Sequence, residues 1–294
     1  MRLRRTGKRL LSLAAFCLAA TAGGALVAGS RLTRSVNGPI GPPPPDLTVE
    51  NVHFQSASSS EVQGWLLRGR PGAGVIILLH GVRGNRLAMV GHARFLAKAG
   101  YSVVLIDFQA HGESQGRRIT FGHLESLDVI AAAEFIHRNI PGEKIGIIGS
   151  SLGGAAALLA SRTLKVDALV LEMVYPTIHD AIANRLEIVL GKPGRILNPL
   201  LTMQLRPRLG ISAQDLRPID CAAQSEIPKF FIGGESDRHT TVSDTKRLYE
   251  AATSRKQMWI VSGAGHGDLH AKAPADYERR VLAFLKECLG TAGQ

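Results

Sequence analysis

Short runs of valine, isoleucine and leucine recur along this chain and alternate with longer segments of helical character. None of the runs alternates apolar with polar positions, as a strand with one solvent-facing side would. Continuous apolar runs are typical of strands buried on both faces, and the segments between them supply the covering helices. The pattern therefore predicts an α/β fold with a mostly parallel, doubly wound sheet. The predicted strands cover residues 75–80, 102–107, 144–150, 168–173, 229–233 and 257–262.

Helical crossovers are predicted between these strands, and several have recognisable ends. Gly100 follows one predicted helix, and Pro141-Gly142 follow another, as expected where a helix stops. An opening strand or hairpin is predicted at residues 52–67, ahead of the repeating pattern. The predicted helices cover residues 87–99, 124–139, 152–161, 243–252 and 275–289.

One interval, residues 176–218, breaks the alternation because it has no strand-like run and contains several prolines. We predict a helical cap inserted into the domain. Its first half places Ile178, Ile182, Leu186 and Val189 on one face of a helix. That face either packs over the mouth of the site or joins the core, and the sequence leaves both arrangements open.

The N-terminus combines five basic residues within the first nine positions with an uncharged stretch over residues 10–30. This order is typical of a secretory signal or of a membrane anchor. Ala20-Thr21-Ala22 fits a cleavage site, whereas a stretch of about 20 uncharged residues is also long enough to span a bilayer. We expect an exported or membrane-anchored protein with its domain outside the cytoplasm. A buried N-terminal helix is the alternative.

A proline-rich spacer is predicted at residues 31–47, and the folded domain at residues 48–294. The formal net charge of +11 suggests nucleic-acid binding at first sight. However, about half of that excess lies in the first nine residues, and no basic stripe with aromatic residues follows, so no nucleic-acid partner is expected. Cys221 and Cys288 are either a disulfide pair or plain thiols. No metal-ligand spacing of Cys and His is present, and no cofactor is expected.

The predicted strand at residues 144–150 runs directly into Gly149-Ser150-Ser151-Leu152-Gly153-Gly154 and a helix rich in alanine and leucine. A G-x-S-x-G turn needs small residues two positions either side of its serine, because the strand bends sharply while exposing one side chain. Ser151 is the symmetric centre and the candidate nucleophile, since Ser150 falls one place short. A phosphate-binding turn at a helix N-terminus is the alternative, although the P-loop and dinucleotide signatures are missing.

An attacking serine also needs N–H donors for the oxyanion that forms on the substrate. The candidates are the backbone amides of Leu152, directly after the serine, and of Val82, in the loop after residues 75–80. His80, in the same loop, is expected to be a structural hydrogen-bonding residue.

The general base must be a histidine that follows a strand at the carboxyl edge of the sheet, and His266 meets this condition. His270, one turn further, is its rival. The orienting carboxylate is expected at Asp237, after the preceding strand, with Glu235 as the alternative. Asp107 is expected to brace loops around the pocket.

The order serine, acid, histidine, each after a strand, resembles the alpha/beta-hydrolase superfamily over residues 75–289. The resemblance includes the His80-Gly81 loop, the stretch from Asp107 to Ser114, the turn at Ser151 and the two loops with Asp237 and His266. Residues 216–220, Leu-Arg-Pro-Ile-Asp, are similar to the dienelactone-hydrolase-like and serine-aminopeptidase-like branch. The chain lacks the HGGG run of typical lipases.

This resemblance implies a cofactor-free serine hydrolase of small-molecule acyl substrates, which are carboxylic esters or alternatively thioesters or amides. If the N-terminal segment is uncleaved, a membrane is a further partner. A non-catalytic interaction protein on the same scaffold and a metal-dependent hydrolase are the competing classes.

Overall fold

The computed structural model describes residues 2–290, and the side chains of Phe16 and of residues 19–290. Its centre is an eight-stranded sheet. The strands are β1 (Glu50–Gln55), β2 (Glu61–Leu67), β3 (Val75–Leu79), β4 (Ser102–Ile106), β5 (Ile145–Ser150), β6 (Ala168–Glu172), β7 (Lys229–Gly234) and β8 (Lys256–Val261). Their order in the sheet is β8-β7-β6-β5-β3-β4-β2-β1. β1 and β2 form an antiparallel hairpin, β2 also runs antiparallel to β4, and the other neighbours are parallel. The predicted hairpin and the predicted parallel strands are thereby confirmed, each parallel strand to within a residue.

Helices cover both faces of this sheet, and a further helix precedes it at the N-terminus. The helix predicted from residue 87 begins with a 3-10 turn, Arg86–Met89, before it becomes α-helical. The α-helices are α1 (Arg2–Thr33), α2 (Val90–Ala99), α3 (His123–Asn139), α4 (Leu152–Ala160), α5 (Ile178–Leu190), α6 (Asn198–Thr202), α7 (Leu205–Leu209), α8 (Pro218–Gln224), α9 (Val242–Ala251), α10 (Leu269–Lys272) and α11 (Pro274–Leu289).

The sheet is buried on both sides, as the uninterrupted apolar runs predicted. Alternate residues of β3 face opposite sides of the sheet and belong to two different hydrophobic cores. Val75, Ile77 and Leu79 pack with α3, α4, α8 and α9. Ile76 and Leu78 pack with α2 and α11. Cys221 of α8 and Cys288 of α11 belong to helices on opposite faces, and both are free thiols.

The loops that follow β3, β5, β7 and β8 emerge at one edge of the sheet. Leu79 pairs with Gly149, and Gly234 pairs with Val261, so neighbouring strands end at the same level. The carboxyl ends of parallel strands are where α/β proteins gather their functional loops. Every residue predicted for the site therefore starts from this edge.

The segment between β6 and β7 is helical, and within the described part of the chain it contains no strand. Ile178 is buried and Ile182 half-buried, whereas Val189 is 77% exposed. The apolar face predicted for this helix therefore contacts the domain along its first turns only. Because Ile178 and Ile182 line a cavity together with Ser151, the inserted helices cover the site.

Residues 31–47, predicted as a spacer, are in contact with the domain. The two-residue strand Val36–Asn37 pairs with His111–Gly112, and the carbonyl of Thr33 accepts a hydrogen bond from the amide of Ile119. Ile40 and Leu47 pack against the core on the α2 side of the sheet. A proline-rich composition favours extended backbone, and here that backbone lies along the domain surface.

α1 joins the domain through its last turns. Gln204 and Arg208 donate hydrogen bonds to the carbonyls of Ala25 and Leu26, at 3.0 and 2.8 Å. Among residues 2–290, no helix combines the length and the apolar character needed to cross a membrane. The side chains of the basic cluster in the first nine positions and of Cys17 lie outside the described residues.

Candidate active site

Ser151 occupies the sharp turn between β5 and α4, with φ 51° and ψ −107°. A positive φ is costly for a residue with a side chain, typically about 1–3 kcal/mol, and such strain concentrates at functional turns. The turn also requires two glycines. A Cβ at Gly149 would lie 2.6 Å from the backbone of Gly153, and one at Gly153 would lie 2.4 Å from the carbonyl oxygen of Leu79. The tight packing expected at both glycines is present.

A continuous chain of hydrogen bonds joins Ser151, His266 and Asp237. Nε2 of His266 lies 3.2 Å from Oγ of Ser151, and Nδ1 lies 2.7 Å from Oδ2 of Asp237. An ionised carboxylate only accepts hydrogen bonds, so the proton of neutral His266 resides on Nδ1. Nε2 then presents its lone pair to the serine hydroxyl, which is the arrangement needed to remove the serine proton.

The carboxylate of Asp237 is fully buried and holds more hydrogen bonds than the one to His266. Oδ2 accepts from Oγ1 of Thr240 at 2.6 Å, and Oδ1 accepts from the amides of His239 and Thr240 at 2.7 and 3.0 Å. Burial raises the pKa of Asp237, but the hydrogen bonds and the imidazole lower it by more, so the pKa is below its ordinary value of 3.8. The group therefore stays ionised at neutral pH.

The alternatives that the sequence left open have other partners. Ser150 is the last residue of β5 and remains within the sheet. The carboxylate of Glu235 accepts hydrogen bonds from the turn at residues 262–263, and Nε2 of His270 lies 2.9 Å from a carboxylate oxygen of Glu278. None of these side chains enters the hydrogen-bond chain at Ser151.

Val82 and Leu152, the predicted oxyanion-binding residues, both lie beside Ser151 and line the same cavity. Leu152 is the first residue of α4, where the amides of the first turn have no acceptor within the helix. The loop with Val82 approaches closely, since a Cβ at Gly81 would lie 3.7 Å from Cβ of Ser151.

His80 is held within this loop by backbone hydrogen bonds. Its Nε2 accepts from the amide of Phe108 at 3.1 Å, so its Nδ1 carries the proton and donates to the carbonyl of Gly81, 2.8 Å away. Burial and the neighbouring His111 lower the pKa of His80 to about 3. The predicted structural role of His80 is confirmed.

Asp107 braces two loops beside the site. Its carboxylate accepts from the amide and the guanidinium of Arg86, at 2.7 and 2.6 Å, and from the amide of Glu113, at 2.9 Å. Arg86 also forms an ion pair with the carboxylate of Glu113. The predicted bracing role of Asp107 is therefore confirmed.

Ser151 faces two adjoining cavities of different character. The first, of about 180 Å³, is lined mainly by apolar side chains of α5, α6 and α7 and by the end of α1. The second, of about 260 Å³, is more polar and includes His92, Glu172, His266 and Asp268. Ser151 thus lies between an apolar cavity and a more polar one.

Sequence reasoning missed Arg185, which lines both cavities. Burial lowers the pKa of Arg185, and among the described residues its guanidinium has no ion-pair partner and only a 3.4 Å hydrogen bond to the carbonyl of Ala181. A usable signal existed, because Arg185 falls on the same helical face as Ile178 and Ile182. A charge within an apolar face suggests a functional contact.

Thr240 was also missed, although it donates to the carboxylate of Asp237 and lies 3.3 Å from Nδ1 of His266. Hydroxyl residues are common in loops, so the sequence carries no specific signal for this role.

Comparison with known proteins finds related sequences and the same fold. The sequence family described as Serine aminopeptidase, S33 (Hydrolase_4) matches residues 70–192. The Bacillus subtilis protein YqkD, described as uncharacterized, is 27% identical over 238 residues, covering 78% of this chain and 77% of YqkD. The Arabidopsis thaliana protein WAV2, described as an alpha/beta hydrolase domain-containing protein, is 26% identical over 264 residues, covering 85% and 82% of the two chains.

Two solved structures illustrate the shared fold. The Pyrococcus furiosus esterase Pf2001 superposes with a TM-score of 0.72 at 24% identity, covering 87% of this chain and 99% of that chain. Est1E from Butyrivibrio proteoclasticus superposes with a TM-score of 0.60 at 14% identity, covering 79% and 98%.

Proposed function

We propose that this chain is a serine hydrolase of the alpha/beta-hydrolase superfamily and that it cleaves carboxylic esters through an acyl-serine intermediate. The observation that carries the proposal is the hydrogen-bond chain from Ser151 through His266 to the buried Asp237. The Pyrococcus furiosus protein Pf2001, described as an esterase, shares this fold, and we extend its reaction class to this chain as part of the proposal.

In the first half-reaction, Oγ of Ser151 attacks the carbonyl carbon of the ester while Nε2 of His266 takes the serine proton. The carbonyl oxygen becomes an oxyanion, which the amides of Leu152 and Val82 stabilise. The tetrahedral intermediate then expels the alkoxide, His266 returns the proton to it, and an alcohol leaves. Asp237 stabilises the imidazolium without taking a proton.

In the second half-reaction, water attacks the acyl-serine carbonyl and gives its proton to Nε2 of His266. Collapse of the second tetrahedral intermediate breaks the bond to Oγ of Ser151, and the imidazolium reprotonates that oxygen. The products are a carboxylic acid and the free enzyme.

The cavities suggest the kind of ester. The apolar cavity beside Ser151 suits a hydrocarbon acyl group, because burying such a group removes apolar surface from water. Arg185 forms no ion pair within 4.0 Å among the described residues, and it would face an anionic group on the same substrate. We therefore propose an ester with an apolar acyl chain and a nearby negative charge.

Amide and thioester substrates and a non-catalytic role are the alternatives. The match to a family described as a serine aminopeptidase favours testing amides alongside esters. A non-catalytic interaction protein would have no need for a buried carboxylate that accepts four hydrogen bonds, one of them from a histidine beside a serine hydroxyl. We therefore rank ester hydrolysis first.

We also propose that the protein is exported or membrane-anchored, with its catalytic domain outside the cytoplasm. Support comes from the basic residues followed by an uncharged stretch at the N-terminus. Leu26 and Val27 of α1 are more than half exposed, as are Ile196 and Met203 in the cap. A C-terminally tagged chain expressed in Escherichia coli should be digested by protease added to spheroplasts, whereas protection until lysis would contradict this location.

Labelling with a fluorophosphonate tests the proposed reaction, because the probe requires an activated serine. The wild-type chain should gain one adduct, mapped by peptide mass to Ser151, and hydrolyse an activated ester. Ser151→Ala should lose the adduct and lower turnover by about four to six orders of magnitude. Ser150→Ala is the matched control and should keep both the adduct and the esterase activity. Equal labelling of wild type and Ser151→Ala, or an unreactive folded wild type, would refute the proposal.

A further inference from the structure

We propose that His92, Asp268 and His270 form a binding site for a divalent transition-metal ion, for which zinc is the best fit. One ligand atom from each of these residues lies within 4.8 Å of the others. His92 belongs to α2, Asp268 precedes α10, and His270 belongs to α10. The inference does not depend on the proposed hydrolase function.

The tautomer of His92 follows from its partner. Nε2 of His92 lies 3.2 Å from a carboxylate oxygen of Glu172, which also accepts a hydrogen bond from the hydroxyl of Tyr277. Because an ionised carboxylate offers no proton, Nε2 of His92 must donate, and Nδ1 is the nitrogen left to bind a metal ion through its lone pair once the ring is neutral. That Nδ1 is buried and has no hydrogen-bond partner among the described residues. A buried acceptor without a partner is costly unless something binds there.

His270 is held in the same way. Its Nε2 lies 2.9 Å from a carboxylate oxygen of Glu278, so its Nδ1 also presents a lone pair. The two imidazole rings lie near each other, with centroids 5.3 Å apart. A histidine whose second nitrogen is fixed by a carboxylate is the usual arrangement around protein-bound zinc.

Asp268 completes the set of ligands. One of its carboxylate oxygens accepts a hydrogen bond from the amide of Ala271 at 2.9 Å and caps α10, which leaves the other for an ion. Tetrahedral zinc with ligand bonds near 2.1 Å needs donors about 3.4 Å apart, so the set must close by roughly 1.4 Å or less. Asp268 is exposed and lies in a loop, so it has the freedom to move. Two imidazoles and one carboxylate favour zinc over magnesium or calcium, which prefer oxygen ligands.

The site adjoins the proposed catalytic groups. His92 and Asp268 line the polar cavity together with Ser151 and His266, and Asp268 lies two residues after His266. An ion bound by three protein ligands keeps a fourth position for water or substrate. It would also tie the loop that carries His266 to α2.

Zinc binding to the full-length, metal-stripped protein tests the proposal by calorimetry and by competition with a chromophoric chelator. Wild type should bind one equivalent and gain thermal stability, and cobalt should give the visible absorption of a tetrahedral site. His270→Gln and Asp268→Asn should each weaken zinc binding at least about tenfold. Asparagine still caps a helix, so Asp268→Asn preserves that local structure.

His53→Gln, which removes an exposed histidine of β1, is the matched control and should bind zinc like wild type. Circular dichroism and melting without metal establish that each variant is folded. Binding that is equally strong in wild type and both ligand variants would overturn the proposal. Absence of zinc binding in the wild type would overturn it as well.

Discussion

Oγ1 of Thr240 donates a 2.6 Å hydrogen bond to Oδ2 of Asp237, the same carboxylate oxygen that faces Nδ1 of His266. The hydroxyl thus fixes the carboxylate in the orientation that the imidazole needs. A group of this kind positions the proposed base without touching the substrate.

We expect Thr240→Val to lower kcat about tenfold with little change in KM, because the shape is kept and the donor to Asp237 is lost. Thr240→Ser keeps the hydroxyl and should retain near wild-type activity. Steady-state kinetics on an activated ester measure both variants. A loss in Thr240→Ser with none in Thr240→Val would mean that the threonine methyl group, rather than its hydroxyl, matters.

Gly153→Ala should destabilise the fold by about 3 kcal/mol, because the added Cβ would lie 2.4 Å from the carbonyl oxygen of Leu79. Since backbone rather than a flexible side chain meets the Cβ, relief requires moving the turn at Ser151, and activity should fall as well. Gly38→Ala, whose Cβ has no neighbour within 4 Å, should change stability by less than about 0.5 kcal/mol. Urea unfolding compares the two, and similar losses would contradict the steric argument.

His80 should make stability depend on pH. Its pKa falls from 6.5 to about 3 on folding, so between these values the unfolded chain binds a proton that the folded chain does not. The contribution of neutral His80 is therefore complete above pH 6.5 and is lost as the pH decreases toward 3, at up to about 1.4 kcal/mol per pH unit.

His80→Gln removes this titration, so the stability difference between wild type and variant should shrink as the pH decreases from 7 to 4.5. Urea unfolding at several pH values measures that difference. His53→Gln, at an exposed position, separates the effect of burial from the loss of one histidine. A difference that stays constant with pH would rule out the buried neutral state.

Arg185→Met should separate charged from neutral substrates. The variant keeps an apolar side chain of similar length but loses the cation, so an ester with a terminal carboxylate should show KM raised at least about tenfold. The p-nitrophenyl esters of octanoate and of the octanedioate half-acid form a matched pair. If both esters respond equally, Arg185 contributes packing and not charge recognition.

The strands were predictable because a parallel strand buried on both faces needs an unbroken apolar run, and Val75 to Leu79 is such a run. The convergence of Ser151, Asp237 and His266 was predictable for a related reason. Each follows a strand, and parallel strands deliver their loops to one edge of the sheet.

The remaining features depend on contacts between segments that carry no periodic pattern. Residues 31–47 lie on the domain because their backbone pairs with His111–Gly112, which composition does not reveal. The cluster of His92, Asp268 and His270 joins a helix to a loop more than 170 residues away, so no local ligand spacing marks it.

The last turns of α1 form part of the wall of the apolar cavity, through Gly29, Leu32 and Thr33. A cut after Ala22 would leave this wall in place. A cut beyond Thr33 would open the apolar cavity on one side and expose its apolar lining to water. A truncation that removed Thr33 would therefore widen the apolar cavity, and the shortened chain should accept bulkier acyl groups than the full-length chain.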